Sequence, residues 1–149
     1  KQSIIQPPQV EFSALPVKDA VILGSGKNKV ALFMDSRCPH CHKQYNDLAK
    51  NKDVTAYVYL FPSPDMEKVW CSADKAVALE KAINGKAKDA AEAAKCEVSA
   101  LTRNHALSRS FKIRSIPTII YADGSRTVGY VSPEAFQQKL TEVAAAKGK

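Results

Sequence analysis

The chain has 149 residues, 45% of them apolar, with 22 Lys and Arg against 15 Asp and Glu for a net charge of +7. That length suits one domain with its own hydrophobic core, and the lack of any low-complexity run argues against a disordered chain. The basic residues are interleaved with acids, as in Asp47-Leu48-Ala49-Lys50 and Glu80-Lys81, which reads as a solvated surface and not a nucleic-acid face, and no apolar stretch approaches the roughly 18 residues that span a membrane.

Residues 1–10 are polar and broken by Pro7 and Pro8, so they read as an arm or linker ahead of a domain covering 11–149. Lys1 opens this segment without the apolar core of a signal peptide, so the chain is expected to be either cytosolic or already processed. Val21-Ile22-Leu23 reads as a strand, Gly24 to Lys29 as a hairpin-like turn, and Val30 to Asp35 as a buried strand. After Cys38-Pro39-His40-Cys41, the run Lys43 to Lys50 reads as helix. Val54 to Phe61 is the strongest strand pattern, ended by Pro62-Ser63-Pro64-Asp65.

From Met66 to Lys112 the pattern turns helical, with Gly85 dividing it, residues 86–95 a short surface helix, and Val98 to Phe111 a helix packed on a sheet. Ile116 to Tyr121 is a strand, Ala122 to Ser125 a turn, and Thr127 to Val131 a returning strand. Ser132 as N-cap and Pro133 at the first helical position open a last helix reaching about Ala146. The fold class that follows is α/β, a mixed sheet of four or five strands flanked by helices, with a helical segment inserted around 65–112.

The chemistry concentrates at Cys38 and Cys41. A strand followed by a helix start puts Cys38 at the positive end of a helix dipole, where a thiolate is favoured, and the thiolate is the nucleophile. Pro39 suits the first helical position because its fixed φ matches a helix and its missing N–H needs no partner there. His40, when protonated, places positive charge near the Cys38 sulfur and would lower its pKa further. The remaining cysteines, Cys71 and Cys96, have no metal-ligand spacing around them and read as a structural disulfide, worth roughly 3 kcal/mol by loop closure. Such a bridge belongs to an oxidising compartment such as the periplasm. The alternative, that both are small buried hydrophobes, stays open at this point.

Taken together, Asp35-Ser36-Arg37-Cys38-Pro39-His40-Cys41-His42-Lys43, the segment Val69 to Lys75 with Cys96-Glu97-Val98, Ser115-Ile116-Pro117-Thr118, and Asp123-Gly124-Ser125 through Glu134 carry a resemblance. The chain resembles the catalytic, thioredoxin-fold domain of the DsbC and DsbG family of periplasmic disulfide isomerases, from about Phe12 to Val143. The resemblance implies that Cys38 attacks, Cys41 resolves, Pro117 is a cis-proline packed against the dithiol, and Cys71–Cys96 is the structural bridge. It also implies a substrate strand pairing with the backbone of Ile116, no cofactor, no metal, and secreted or envelope proteins with cysteines as substrates. A DsbD-like membrane reductase would keep the site reduced. On composition alone, Pro117 would be an ordinary trans proline opening a strand.

Three departures stand beside the match. Pro39-His40 resembles the dipeptide of the oxidase DsbA, which raises a dithiol oxidase recharged by a DsbB-like oxidant as the alternative. Residue 116 is Ile, as in thioredoxin, where DsbC and DsbG carry Thr. Homodimerisation is implied only through a region missing from this chain or minimal in it, because family members carry an N-terminal dimerisation domain. Two rival chemistries share the motif. Cys38-x-x-Cys41-His42 is also the pattern of covalent c-type haem attachment, with Met34 or Met66 as distal ligand, and Cys38, Cys41, His42 and His105 could supply zinc on paper. Against these, the motif follows a core strand, and His42 adjoins Cys41 too closely to share a tetrahedron. His42 is then an exposed polar neighbour and His105 solvated or half-buried. A peptide-binding chaperone with an incidental dithiol is a further class.

Overall fold

Strand β2, Asn28–Met34, runs through the middle of the protein, and its residues from Val30 onward are completely buried. The computed structural model describes residues 10–84 and 96–147. Within it, β2 is paired on both sides, parallel to β3 (Val54–Leu60) and antiparallel to β4 (Thr118–Tyr121). The edge strands are β1 (Val21–Leu23) on β3 and β5 (Arg126–Val128) on β4, both antiparallel, giving a five-stranded mixed sheet in the order β1-β3-β2-β4-β5. A strand covered on both faces is apolar throughout instead of alternating, which is why Val30 to Met34 reads as one run.

Side-chain alternation divides β2 between two cores. Val30, Leu32 and Met34 pack with Cys41, Tyr45 and Leu48 of α1 (Pro39–Ala49) and with Phe136, Leu140 and Val143 of α5 (Pro133–Lys147). Ala31 and Phe33 point to the other face, where Tyr59, Ile120, Leu15 and Val10 meet them. The helices α2 (Pro64–Trp70), α3 (Lys75–Ile83) and α4 (Ser99–Ser110) fill the stretch between β3 and β4. No helix among the described residues is long and apolar enough to cross a membrane.

Several local expectations are corrected. The Gly24 to Lys29 stretch is not a hairpin: β1 pairs with β3, and β2 already begins at Asn28. Gly26 N–H donates to Val54 O at 3.3 Å and Asn28 N–H to Asp53 O at 2.9 Å, so the segment lies against the start of β3. Pro62 to Asp65 ends β3 as expected and also starts α2, with Ser63 Oγ accepting from Met66 N–H at 3.1 Å and Pro64 in the first turn. The expected helix at 86–95 lies outside the described residues. β5 ends at Val128, because Gly129 at φ +86° turns the chain away before Tyr130 and Val131. Val10, the last residue of the expected arm, is buried and donates its N–H to Gly124 O at 3.1 Å.

Candidate active site

The antiparallel register of β2 and β4 explains why residues 38 and 116 meet. Val30 faces Tyr121 and Phe33 faces Thr118, so the end of β2 lies beside the start of β4. The chain leaving β2 therefore enters α1 next to the chain arriving at β4. Cys38 is the N-cap of α1: its φ of −104° and ψ of 109° are extended, and its Sγ accepts the N–H of Cys41 at 3.1 Å. Pro39 occupies the first turn, where no backbone donor is missed. Across the gap, the Ile116-Pro117 peptide bond is cis, and Cys38 Sγ donates to Ile116 O at 3.8 Å.

The two thiols are free and differ in access: Cys38 is half-buried and Cys41 fully buried. Burial is the main force pushing the Cys41 thiol upward, with its hydrogen bond to Cys38 second. A sulfur anion at Cys38, by contrast, meets a helix N-terminus and an N–H donor already aimed at it. The pair is thus arranged with one reachable sulfur and one held in reserve.

Of the other sequence-derived residues, Pro39 and His40 are exposed at the mouth, Ile116 is half-buried, and Pro117 is buried. The His40 ring makes no hydrogen bond among the described residues. His42 is not the exposed neighbour expected: it is half-buried, and its Nε2 lies 2.5 Å from Ser36 O, tying α1 to the loop before it. That contact occupies the nitrogen a haem iron would need, while Met34 and Met66 are sealed in the core. His105 is exposed on α4, edge-on to Phe61 with ring centroids 5.6 Å apart. Cys71, the C-cap of α2, is disulfide-bonded to Cys96 just ahead of α4, with Cα atoms 5.5 Å apart.

Sequence reasoning missed Gln44. It is only 1% exposed on the apolar stripe of α1 formed by Cys41, Tyr45 and Leu48. The signal was present: a polar side chain three residues after Cys41 and four before Leu48 falls where an amphipathic helix buries its residues, and there it must find partners. It finds both on Val131, accepting from the N–H at 2.8 Å and donating to the carbonyl at 3.2 Å. Next to it, Tyr130 Oη donates to Asp47, which pushes the phenol up to about 12.

Comparison with known proteins agrees with this fold. The model of the thioredoxin-like domain family matches residues 15–144. The probable thiol:disulfide interchange protein DsbC of Bordetella avium is 31% identical over 141 residues, covering 89% of this chain and 50% of that protein. The DsbC of Salmonella typhimurium is 26% identical over 126 residues, 78% of this chain and 52% of that one. The chain thus spans about half the length of the curated relatives it matches. Among solved structures, a disulfide interchange protein from Neisseria gonorrhoeae superposes with a TM-score of 0.75 at 24% identity, covering 86% of this chain and 97% of that one. Proteus mirabilis ScsC in a compact conformation gives 0.78 at 20% identity, covering 97% and 84%. At these identities the two superpositions establish the shared fold.

Proposed function

The chain belongs to the thioredoxin-like domain family, and from that premise we propose that it is a periplasmic thiol–disulfide oxidoreductase of the DsbC and DsbG kind, acting on cysteines of secreted or envelope proteins. The observation that carries the reading is the asymmetric dithiol, with a reachable Cys38 sulfur that caps α1 and contacts the Ile116 carbonyl, and a buried Cys41 behind it. The Cys38 thiolate attacks one sulfur of a substrate disulfide. A Cys38–substrate disulfide forms as the substrate S–S bond breaks, and the other substrate sulfur leaves as a thiolate. In isomerisation that thiolate attacks a second substrate disulfide and forms a new S–S bond there, and the sulfur so displaced attacks the mixed disulfide, closing another substrate disulfide and releasing Cys38 as the thiolate. In reduction, Cys41 gives up its proton and attacks the Cys38 sulfur, so a Cys38–Cys41 disulfide replaces the mixed one and two electrons have passed to the substrate.

The backbone of Ile116 would pair with the extended substrate segment, and the positive charge of protonated His40 would favour the attacking thiolate. The periplasmic placement is supported by the Cys71–Cys96 bridge and by the likeness to a periplasmic thioredoxin-like protein of Salmonella enterica. A DsbD-like membrane reductase is the partner this direction of electron flow requires. The opposite direction, a DsbA-like oxidase served by a DsbB-like oxidant, is favoured by Pro39-His40, since a strongly stabilised thiolate makes a dithiol oxidising, towards about −120 mV against about −270 mV for thioredoxin.

Two measurements test the reading. Cys38→Ser should abolish insulin reduction while Cys41→Ser accumulates mixed disulfides; the reverse pattern refutes the assignment of the nucleophile. The redox state of Cys38 and Cys41 in the periplasm decides direction, mostly reduced for an isomerase and mostly oxidised for an oxidase.

A further inference from the structure

We propose that Gln44 is a positioning residue that holds the Ile116-Pro117 wall of the substrate site at a fixed place relative to the helix carrying Cys38; this rests on the dithiol reading above. Gln44 is a polar side chain buried to 1% exposure where an apolar one would fill the same space without a desolvation cost. That cost is offset because both ends of its amide bind one residue: Val131 N–H donates to Oε1 at 2.8 Å, and Nε2 donates to Val131 O at 3.2 Å. Val131 lies beyond the end of β5 at Val128, so these bonds satisfy its backbone outside the strand. Two residues earlier, Gly129 N–H donates to Pro117 O at 2.8 Å, and the adjoining Ile116 O accepts from Cys38 Sγ at 3.8 Å.

These contacts close a ring. It runs from Cys38 along α1 to Gln44, across to Val131, back through Gly129 to Pro117 and Ile116, and home to Cys38. A second strut parallels the first, since Tyr130 donates to Asp47 and lies under Lys43, with Nζ 4.7 Å from the ring centroid. Each strut leaves α1 within three turns of the nucleophile and ends on the loop that supports Pro117. A side chain needed only for packing would have no use for two directional bonds to one backbone unit.

The consequence separates two kinds of substrate. A small disulfide needs the Cys38 sulfur alone, whereas an extended peptide must also meet the backbone at Ile116. The test is single-turnover exchange of the reduced protein with hydroxyethyl disulfide and with a peptide whose central cysteine is capped by cysteamine. Gln44→Leu should lower the peptide rate about tenfold through misplacement of the wall, expressed in the half-saturating peptide concentration more than in the limiting rate, and leave the hydroxyethyl disulfide rate unchanged. Gln44→Glu, which keeps the acceptor for Val131 N–H and loses the donor to Val131 O, should fall between.

Equal rates for variant and wild type, or an equal fall with both disulfides, would overturn the proposal. Should Gln44→Leu not fold, Tyr130→Phe cuts the parallel strut and is read by the same ratio with the same expectation. A wild-type protein inert toward hydroxyethyl disulfide would instead overturn the dithiol reading, so the two failures are distinguishable.

Discussion

Replacing both Cys71 and Cys96 by serine should cost the protein a large part of its stability and none of its dithiol chemistry. The bridge spans 25 residues, and loop-closure entropy over that length is worth about 3.5 kcal/mol at room temperature. A domain of this kind is stable by only about 5–15 kcal/mol in total, so the loss is a substantial share. The bridge fastens the end of α2, whose Met66 and Val69 are buried in the main core, to the residues leading into α4, whose Leu101 enters the same core. Comparison in a Cys38→Ala/Cys41→Ala background leaves a single bridge as the difference. With a urea slope of about 2 kcal/mol/M, the midpoint should fall by about 1.7 M. In the background with its dithiol intact, hydroxyethyl disulfide exchange well below the transition should match wild type. An unmoved midpoint would refute the closure argument, and lost exchange would refute the separation of bridge from redox site.

Two further predictions concern stability elsewhere. Asp19 is buried beneath Arg103, which donates from Nε to Oδ2 at 2.9 Å and from Nη2 to Oδ1 at 2.7 Å, and these bonds hold its carboxyl below the usual range. A depressed folded-state value means the contribution is present above the unfolded value of about 3.9 and is lost as pH falls through the lower folded one. Thermal melts should therefore show wild type losing Tm more steeply than Asp19→Asn below about pH 4; parallel curves would refute this. Gly124 sits at φ +87°, and a Cβ there would lie 2.3 Å from Val10 O, whereas Gly129 at φ +86° has nothing within 4 Å of its would-be Cβ. Gly124→Ala should cost more than the roughly 1–3 kcal/mol of left-handed strain that Gly129→Ala alone incurs, and equal losses by denaturant titration would contradict the close approach.

What the sequence made legible was governed by short-range rules. Cys38 as N-cap with Pro39 behind it, and Ser132 with Pro133, are fixed by a handful of neighbouring atoms, and both are found as read. The parallel core of β2 and β3 follows from uninterrupted apolar runs. The misreadings were of longer range. Gly24 to Lys29 has the composition of a hairpin turn, yet its direction is set by Asp53 and Val54, against whose backbone Gly26 is pressed so closely that a Cβ would meet Asp53 C at 2.1 Å. His42 looks like a surface residue until the loop before α1 folds back and presents the Ser36 carbonyl. Val10 belongs to a polar arm by composition and to the second core by packing.

The candidate site is an extreme case of the same division. Its three parts lie at residues 36–44, 115–118 and 129–131, and their meeting depends on β2 and β4 being neighbours in one register. A slip of one residue would carry Thr118 away from Phe33 and turn every buried side chain of β4 to the opposite face. That register is held by four consecutive buried residues, Thr118 to Tyr121, and Thr118 Oγ1 also donates to Ser115 O at 2.6 Å, which sets the turn presenting the Ile116 carbonyl. The position of Ile116 over Cys38 is thus determined from two sides, by the sheet through Thr118 and by α1 through Gln44 and Gly129. On the proposed reading, chemistry at the sulfur draws on the helix start, whereas selection among peptide substrates draws on the wall that the long-range contacts build.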